Sequence, residues 1–221
     1  MRVGPPGEIS VKNQSQLGER LAQEIHEKDR PFPSLAMSKP SDSAPQTYYL
    51  YGFRMISWKV SDPDGDDVRV DVRLRPEGSQ EWITLAESVA DPFYVFKTRA
   101  LPDGRYQVEL SANDGLSNPE GEALATLKVL PLFEVDNTPP QLAEKGRGRD
   151  FIELEASDNT AVEAARASID GGAWEPVEME GRIGSKSALL RLSLPSKGRH
   201  FLAVEVVDPY ENSTVKGFLV P

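Results

Sequence analysis

From residue 47 onward, apolar and polar residues alternate with a period of two over short segments bounded by turns. In the clearest segment, a Pro-Asp-Gly turn at 102–104 precedes the alternating run and an Asn-Asp-Gly turn at 113–115 follows it. The apolar positions of that run are Tyr106, Val108, Leu110 and Ala112. This alternation is typical of a β-strand with one buried face. About seven such segments before residue 136 predict an all-β fold, an antiparallel Greek-key β-sandwich.

The second half of the chain repeats the landmarks of the first half. Four features recur 92 to 96 residues later, namely Ser61-Asp62 as Ser157-Asp158, Trp82 as Trp174, Gly104 as Gly198, and Asp114 as Asp208. Between the halves, the two prolines of Asp136-Asn137-Thr138-Pro139-Pro140 cannot donate hydrogen bonds to a sheet. The sequence therefore predicts two tandem sandwiches, at residues 47–136 and 137–221.

Residues 1–46 lack this alternation and are predicted to form an N-terminal arm or linker. Within them, Leu17, Leu21 and Ile25 recur at every fourth position, which indicates a short amphipathic helix at residues 15–29. A flexible tail with chance periodicity fits the same residues. The prolines and serines of residues 30–46 are typical of an extended linker.

Charge and composition exclude some classes of partner. The 221-residue chain has a formal net charge of −10, whereas nucleic acids and anionic membranes are bound by basic surfaces. No apolar run reaches the length of about 18 residues expected of a membrane span, and the N-terminus lacks the apolar core of a signal peptide. We therefore expect no nucleic-acid partner, no membrane insertion, and a piece of a longer chain.

The sequence offers little catalytic chemistry. There is no cysteine, and the two histidines, His26 and His200, are far apart in the sequence. A zinc site would have to rely almost entirely on carboxylates, which zinc disfavours. No Gly-x-Ser-x-Gly motif is present. No catalytic residue, cofactor or metal ligand is therefore assigned, and we expect the protein not to be an enzyme.

Four aspartates, Asp62, Asp64, Asp66 and Asp67, form the most site-like cluster in the sequence. Their spacing is similar to the first half of an EF-hand loop, and Ca²⁺ prefers six to eight oxygen ligands. The glutamate that such a loop needs at its twelfth position is replaced by Arg73. A solvent-exposed turn in which aspartate and glycine serve the backbone geometry explains the same residues.

Two further motifs have both a functional and a structural interpretation. The aromatic group Tyr48, Tyr49, Tyr51, Phe53 and Trp58 suits a carbohydrate-stacking face, but alternation along strands places about half of such side chains in a core. Asn212-Ser213-Thr214 fits the N-glycosylation sequon, a motif that often occurs by chance.

The segment Leu101-Pro102-Asp103-Gly104-Arg105-Tyr106, followed by Val108 and Leu110, resembles the tyrosine corner of fibronectin type III domains. This resemblance implies that the Tyr106 hydroxyl bonds back to the preceding turn and that Trp58 is a core residue of the second strand. His200 stands at the corner position of the second half. The joint at residues 136–140 is similar to those between tandem immunoglobulin-like domains of bacterial exported proteins. The Ser-Asp-Pro-Asp-Gly-Asp segment at residues 61–66, together with the later corner segment, resembles modules that follow β-propellers in such proteins.

The resemblance implies adhesion, spacing or domain docking, and it supplies no catalytic residue. We therefore predict a non-catalytic interaction or spacer module of a larger exported protein, located outside the cell, in the periplasm or at the cell surface. Its partner would be another protein or a neighbouring domain of the same chain. The alternatives are a calcium-dependent adhesin-like module and a carbohydrate-binding accessory domain of a polysaccharide-acting enzyme.

Overall fold

The structure is a computed structural model that describes residues 1–11, 46–119, 121–182, 184–195 and 198–220. The helix predicted at residues 15–29 lies outside these ranges. Contacts divide the described part of the chain into two compact units, with the division between Val135 and Asp136. Within the described ranges, no helix is long and apolar enough to cross a membrane.

The first unit contains ten strands in its described residues. They are β1 (Arg2–Val3), β2 (Glu8–Val11), β3 (Gln46–Tyr49), β4 (Phe53–Ser57), β5 (Arg69–Pro76), β6 (Ile83–Val89), β7 (Phe93–Lys97), β8 (Gly104–Asn113), β9 (Ala125–Val129) and β10 (Phe133–Val135). One sheet has the order β1-β4-β7 and the other the order β10-β8-β5-β6, with β9 also paired to β8. Strands β2 and β3 form a separate antiparallel pair. The chain changes sheet after β4, β6 and β7, which is the Greek-key pattern of a fibronectin III-like sandwich.

The alternation predicted for β5 and β8 is present in the structure. Val70, Val72 and Leu74 of β5 are buried. They lie opposite buried apolar residues of β8, the strand predicted from the clearest alternating segment of the sequence. Trp58, directly after β4, is also buried in this core. The charged residues between the valines of β5 lie on the outer face, because successive side chains of a strand point to opposite faces.

The N-terminal residues differ from the predicted arm, because β1 and β2 belong to the first unit. Strand β1 pairs with β4, and β2 pairs with β3. Ile9 and Val11 are buried in a small cluster with Phe53 and other aromatic residues. Two apolar positions among glycines, prolines and polar residues make too short an alternation for sequence to separate from a linker.

The tyrosine corner implied by the sequence is formed. The hydroxyl of Tyr106 donates a hydrogen bond to the carbonyl oxygen of Pro102, at 2.8 Å. The ring is buried and lies against Phe133 of β10. Burial is the main cause that raises the pKa of Tyr106, with the nearby Asp103 carboxylate adding to it. The corner thus ties the turn before β8 to the strand itself.

We expect Tyr106→Phe to lower the free energy of unfolding of the first unit by about 1 kcal/mol, the usual net value of one hydrogen bond. The ring remains to fill the core, so the loss reports the hydroxyl alone. Chemical denaturation monitored by circular dichroism measures it. Unchanged stability would show that the corner bond is replaced by water at no cost.

The second unit contains eight strands in its described residues. They are β11 (Gln141–Arg147), β12 (Phe151–Ser157), β13 (Ala164–Ile169), β14 (Glu175–Pro176), β15 (Met179–Glu180), β16 (Ser187–Ser193), β17 (His200–Val207) and β18 (Ser213–Val220). One sheet has the order β11-β12-β16-β15 and the other the order β14-β13-β17-β18. The core between them includes Leu154, Leu190 and Val204, all fully buried. This unit is a second set of antiparallel sheets around its own core, so the predicted all-β fold of antiparallel sandwiches is confirmed.

His200 begins β17, where the sequence resemblance places the corner residue. Its Nδ1 atom lies 2.7 Å from Oδ2 of Asp170, and the amide of Phe201 donates to the other oxygen of the same carboxylate. The His200 hydrogen bond is the main cause that holds the pKa of Asp170 below its usual value, followed by the Phe201 amide. The second unit therefore fixes the start of this strand with a side-chain pair.

Candidate functional site

The topology of the second unit brings three chain segments to one end of the sandwich. Strand β11 starts where β12 ends, as the pairing of Gln141 with Ser157 shows. Strand β13 starts where β17 ends, since Ala164 pairs with Val207. Because β12 leads directly into β13, all of these strand ends lie at the same pole. Each of the three segments carries an aspartate there.

These aspartates are Asp136 before β11, Asp158 after β12 and Asp208 after β17. Each supplies one carboxylate oxygen to a group in which all the oxygens lie within 4.8 Å of one another. Among the described residues, these three side chains are the group placed to hold a metal ion jointly. Asp208 is 0% exposed and Asp136 is 4% exposed, while Asp158 is partly buried. We call them the acidic cluster.

Asp208 is held by the turn that follows it. Its Oδ1 atom accepts hydrogen bonds from the amides of Tyr210 and Asn212, both at 2.8 Å, and its Oδ2 atom accepts one from Nδ2 of Asn212, at 2.6 Å. The Asn212 side chain also donates to the carbonyl oxygen of Asp136, at 3.0 Å. Asn212 thus joins two members of the acidic cluster.

Asp136 is held by its own turn and by the loop after β12. Its Oδ1 atom accepts from the amide of Thr138, at 3.0 Å, and from Nδ2 of Asn159, at 3.1 Å. Its Oδ2 atom lies 2.7 Å from the Thr160 hydroxyl. The residue at the joint between the halves is therefore anchored within the second unit.

Asp158 has one satisfied oxygen and one that is not. Its Oδ1 atom accepts from the amides of Thr160, at 2.7 Å, and Ala161, at 3.0 Å. The Thr160 hydroxyl also lies 2.8 Å from this oxygen, but a hydroxyl carries a single proton and already contacts Asp136. The Oδ2 atom of Asp158 is fully buried and has no hydrogen-bond partner among the described residues.

The electrostatics of the acidic cluster are unfavourable for three ionised groups. Burial is the main cause that raises the pKa of Asp208 to about 7; hydrogen bonds from Asn212 and Tyr210 oppose the shift, and the Asp136 carboxylate adds to it. The hydrogen-bond donors to the three carboxylates are amides or hydroxyls, all neutral. Buried charges are costly unless they are paired with an opposite charge.

Three of the four aspartates at residues 62–67, singled out in the sequence as a possible calcium loop, make hydrogen bonds or an ion pair within the first unit. Oδ1 of Asp62 accepts the amide of Asp64 at 2.8 Å, and Oδ2 of Asp66 accepts Nδ2 of Asn118 at 2.8 Å. The last aspartate of the loop pairs with Arg69. The four carboxylates do not form a group of convergent ligands in the described loop.

The aromatic group of the first unit is mostly core. Tyr48, Phe53 and Trp58 are buried. The partly exposed ring of Tyr51 is covered by the guanidinium of Arg99, at 3.7 Å from the ring centroid. The Tyr49 side chain lies outside what the structure describes. This geometry favours core packing over a carbohydrate-stacking face.

The remaining sequence candidates are structural or undescribed. Asn212, the acceptor residue of the glycosylation sequon, is 2% exposed, and its Nδ2 atom donates two hydrogen bonds. The sequon is therefore inaccessible in the folded chain. His200 is paired with Asp170 as described above, and His26 lies outside the described residues.

Sequence reasoning identified the members of the acidic cluster without recognising them as a group. Asp158 and Asp208 were landmarks of the repeat, and Asp136 was part of the joint. Their separations in sequence conceal the convergence, which arises only when strand order is known. The usable signal is an aspartate before the first strand (β11) and after both the second (β12) and the seventh (β17), since these positions share one end of the sandwich.

No known protein-family model matches this chain, and no curated protein matches it either. Among solved structures, the chain is similar to the FN1–FN3 domains of chicken contactin (CNTN1), with 16% identity, a TM-score of 0.37, and coverage of 76% of this chain and 62% of that chain. It is also similar to the fibronectin(III)-like modules of CbhA from Clostridium thermocellum, with 14% identity, a TM-score of 0.36, and coverage of 77% and 85%. The chain thus spans less than two thirds of the contactin structure.

Proposed function

We propose that this chain is a non-catalytic pair of β-sandwich modules that contacts another protein, or a neighbouring domain of its own longer chain, and acts as an interaction or spacer segment of an exported protein. The observation that carries the proposal is a surface feature present in both units. It lies on the outer face of the sheet that contains β8 in the first unit and β17 in the second. There the edge strand, β9 or β18, pairs with that strand.

In the first unit, this surface lies on β8 and β9. Glu109 of β8 stands opposite Arg73 of β5 on one side and Val129 of β9 on the other, and Glu109 is paired with Arg73. Leu127 of β9 lies on the same face and is 55% exposed. Edge strands with aliphatic side chains in solvent are sites at which other chains dock.

The second unit has the same arrangement on β17 and β18. Glu205 stands opposite Arg166 of β13 and Val215 of β18, and it is paired with Arg166. On the same face, Phe201 stands opposite Leu219, which is 73% exposed. Since the cores of both units are closed without these side chains, their exposure supports a role in contact with a partner.

A photo-reactive amino acid placed at Leu127 or Leu219, in the longer protein and in its native cell, tests the proposal. We expect a discrete cross-link to one protein partner or one neighbouring domain. Glu87 of β6 and Glu175 of β14 are matched controls, because they are exposed on the opposite edge strands. We expect no discrete product from the controls.

Two results would contradict the proposal. One is an identical set of cross-links from all four positions, which would show that the outer faces contact nothing specific. The other is turnover in a panel of hydrolase substrates that a single carboxylate substitution abolishes, since a non-catalytic module has no such residue.

A further inference from the structure

We propose that Asp136, Asp158 and Asp208 together bind one Ca²⁺ ion at the end of the second sandwich. This site goes beyond the proposed interaction role and does not depend on it. It also differs from the aspartate loop at residues 62–67, which the sequence had suggested as a calcium site.

The first argument is the spacing of the ligand atoms. Ca²⁺ binds oxygens at about 2.3–2.6 Å, so two oxygens on opposite sides of one ion are about 4.6–5.2 Å apart. The three carboxylate oxygens of the acidic cluster all lie within 4.8 Å of one another. This spacing suits a single ion bound jointly by the three carboxylates, with small adjustments of the side chains.

The second argument is the buried oxygen of Asp158, which is independent of the spacing. Buried polar atoms in folded proteins nearly always have a partner, and an orphan atom indicates a missing water or ion. Within the described part of the chain, Oδ2 of Asp158 has no donor, whereas Oδ1 of the same carboxylate has two amide donors. An ion bound to Oδ2 of Asp158 would supply the missing partner.

The third argument is charge. Among the described residues, no lysine, arginine or histidine forms an ion pair with any of the three carboxylates. Two of these carboxylates, those of Asp136 and Asp208, are buried. A divalent cation offsets most of this charge within the cluster itself. Neutral hydrogen-bond donors orient the carboxylates but leave their charge uncompensated.

The donor atoms favour Ca²⁺ over the other common divalent ions. All three side chains offer carboxylate oxygen, whereas zinc sites in proteins prefer histidine and cysteine. Mg²⁺ demands near-octahedral geometry at shorter distances and keeps several waters, whereas Ca²⁺ accepts irregular sets of six to eight oxygens. Bidentate carboxylates and water complete such a set for Ca²⁺.

Calorimetric titration and thermal melting of the whole chain, first stripped with a chelator, test the site. We expect one Ca²⁺ per chain and a rise of about 5 °C or more in the melting temperature of the second unit in 5 mM Ca²⁺. Hydrogen exchange should slow at the loop after β12 and at the turn after β17. Mg²⁺ at the same concentration should give a smaller shift.

Asp158→Asn is the informative variant, and Asp64→Asn is its control in the rival loop. An asparagine keeps the oxygen that the Thr160 and Ala161 amides need and places an NH₂ group where the orphan oxygen lies. We expect Asp158→Asn to lose Ca²⁺ binding while melting, in chelator, at or above the wild-type temperature. Asp64→Asn should bind as the wild type does.

Absence of Ca²⁺ binding by the folded wild-type chain at 5 mM would overturn the proposal, and this measurement does not depend on how any variant folds. Loss of binding in Asp64→Asn would also overturn it, since the ion would then occupy the first unit. Unchanged binding in Asp158→Asn would do the same.

Discussion

Replacing Leu154 by alanine is expected to lower the free energy of unfolding of the second unit by about 3 kcal/mol, a typical cost for a buried leucine. Leu154 is fully buried, and its cross-strand partner on β16 is Leu190. The substitution removes apolar contacts on both sides of this core and leaves a cavity. Hydrogen exchange read by mass spectrometry measures the effect, because β12, β16 and β17 should lose protection by about 100-fold.

Strands of the first unit should keep their protection in that variant, since the two cores share no residue among those described. Leu74→Ala is the matched control, because Leu74 is equally buried in the first core. It should give the opposite pattern, with β5 and β8 losing protection and β12 keeping it. Equal loss in both units from either substitution would contradict two separate cores.

The stability of the metal-free second unit should fall as pH rises from about 4 to about 7. The pKa of Asp208 is raised to about 7 in the folded chain, chiefly by burial, against 3.8 for the free side chain. Below pH 4 both states hold the proton, so the full stability from this group is present. Between the two values only the folded state holds it, so the free energy of unfolding decreases, by about 4 kcal/mol in total.

The nearby Asp136 carboxylate adds to the rise in the pKa of Asp208. Chemical denaturation of the wild type and of Asp208→Asn, in chelator across pH 4 to 8, isolates the contribution of Asp208 to the free energy of unfolding. The variant loses the hydrogen bond that Nδ2 of Asn212 donates to Oδ2 of Asp208, which gives a constant offset, so the prediction concerns the slope. The stability difference between the two proteins should change across this range and become flat above pH 7. A difference independent of pH would refute the assignment.

The strands of both sandwiches were largely predictable because alternation is a local property. Strands β5 and β8 each carry an uninterrupted run of inward apolar residues, and the tyrosine corner follows from a short motif around Tyr106. Strands β1 and β2 were not predictable, because they are short and their pairing partners lie more than thirty residues away in the chain.

The sequence marked the residues of the acidic cluster individually but did not predict that they converge, and the reason is different. The repeat marked Asp158 and Asp208, and the prolines marked the joint that begins at Asp136. Whether such residues converge depends on strand order and register, which are long-range properties. The dense aspartate loop at residues 62–67 was more conspicuous, yet its carboxylates do not converge within the described loop.

The burial of aromatic residues was likewise decided by register. Alternation alone assigned about half of the group from Tyr48 to Trp58 to a core, without saying which half. The pairing of β2 with β3 places Tyr48 in the small core formed with the N-terminal strands. That pairing favours core packing for Tyr48 over a carbohydrate-stacking face.

A nuclear magnetic resonance comparison of residues 136–221, produced alone, with the same residues in the whole chain is the most direct test of two complete sandwiches. The amide resonances of β12, β16 and β17 should be dispersed in the isolated segment and should overlay those of the whole chain. Poorly dispersed amide resonances, typical of an unfolded chain, would contradict the account, because the second core would then depend on the first unit.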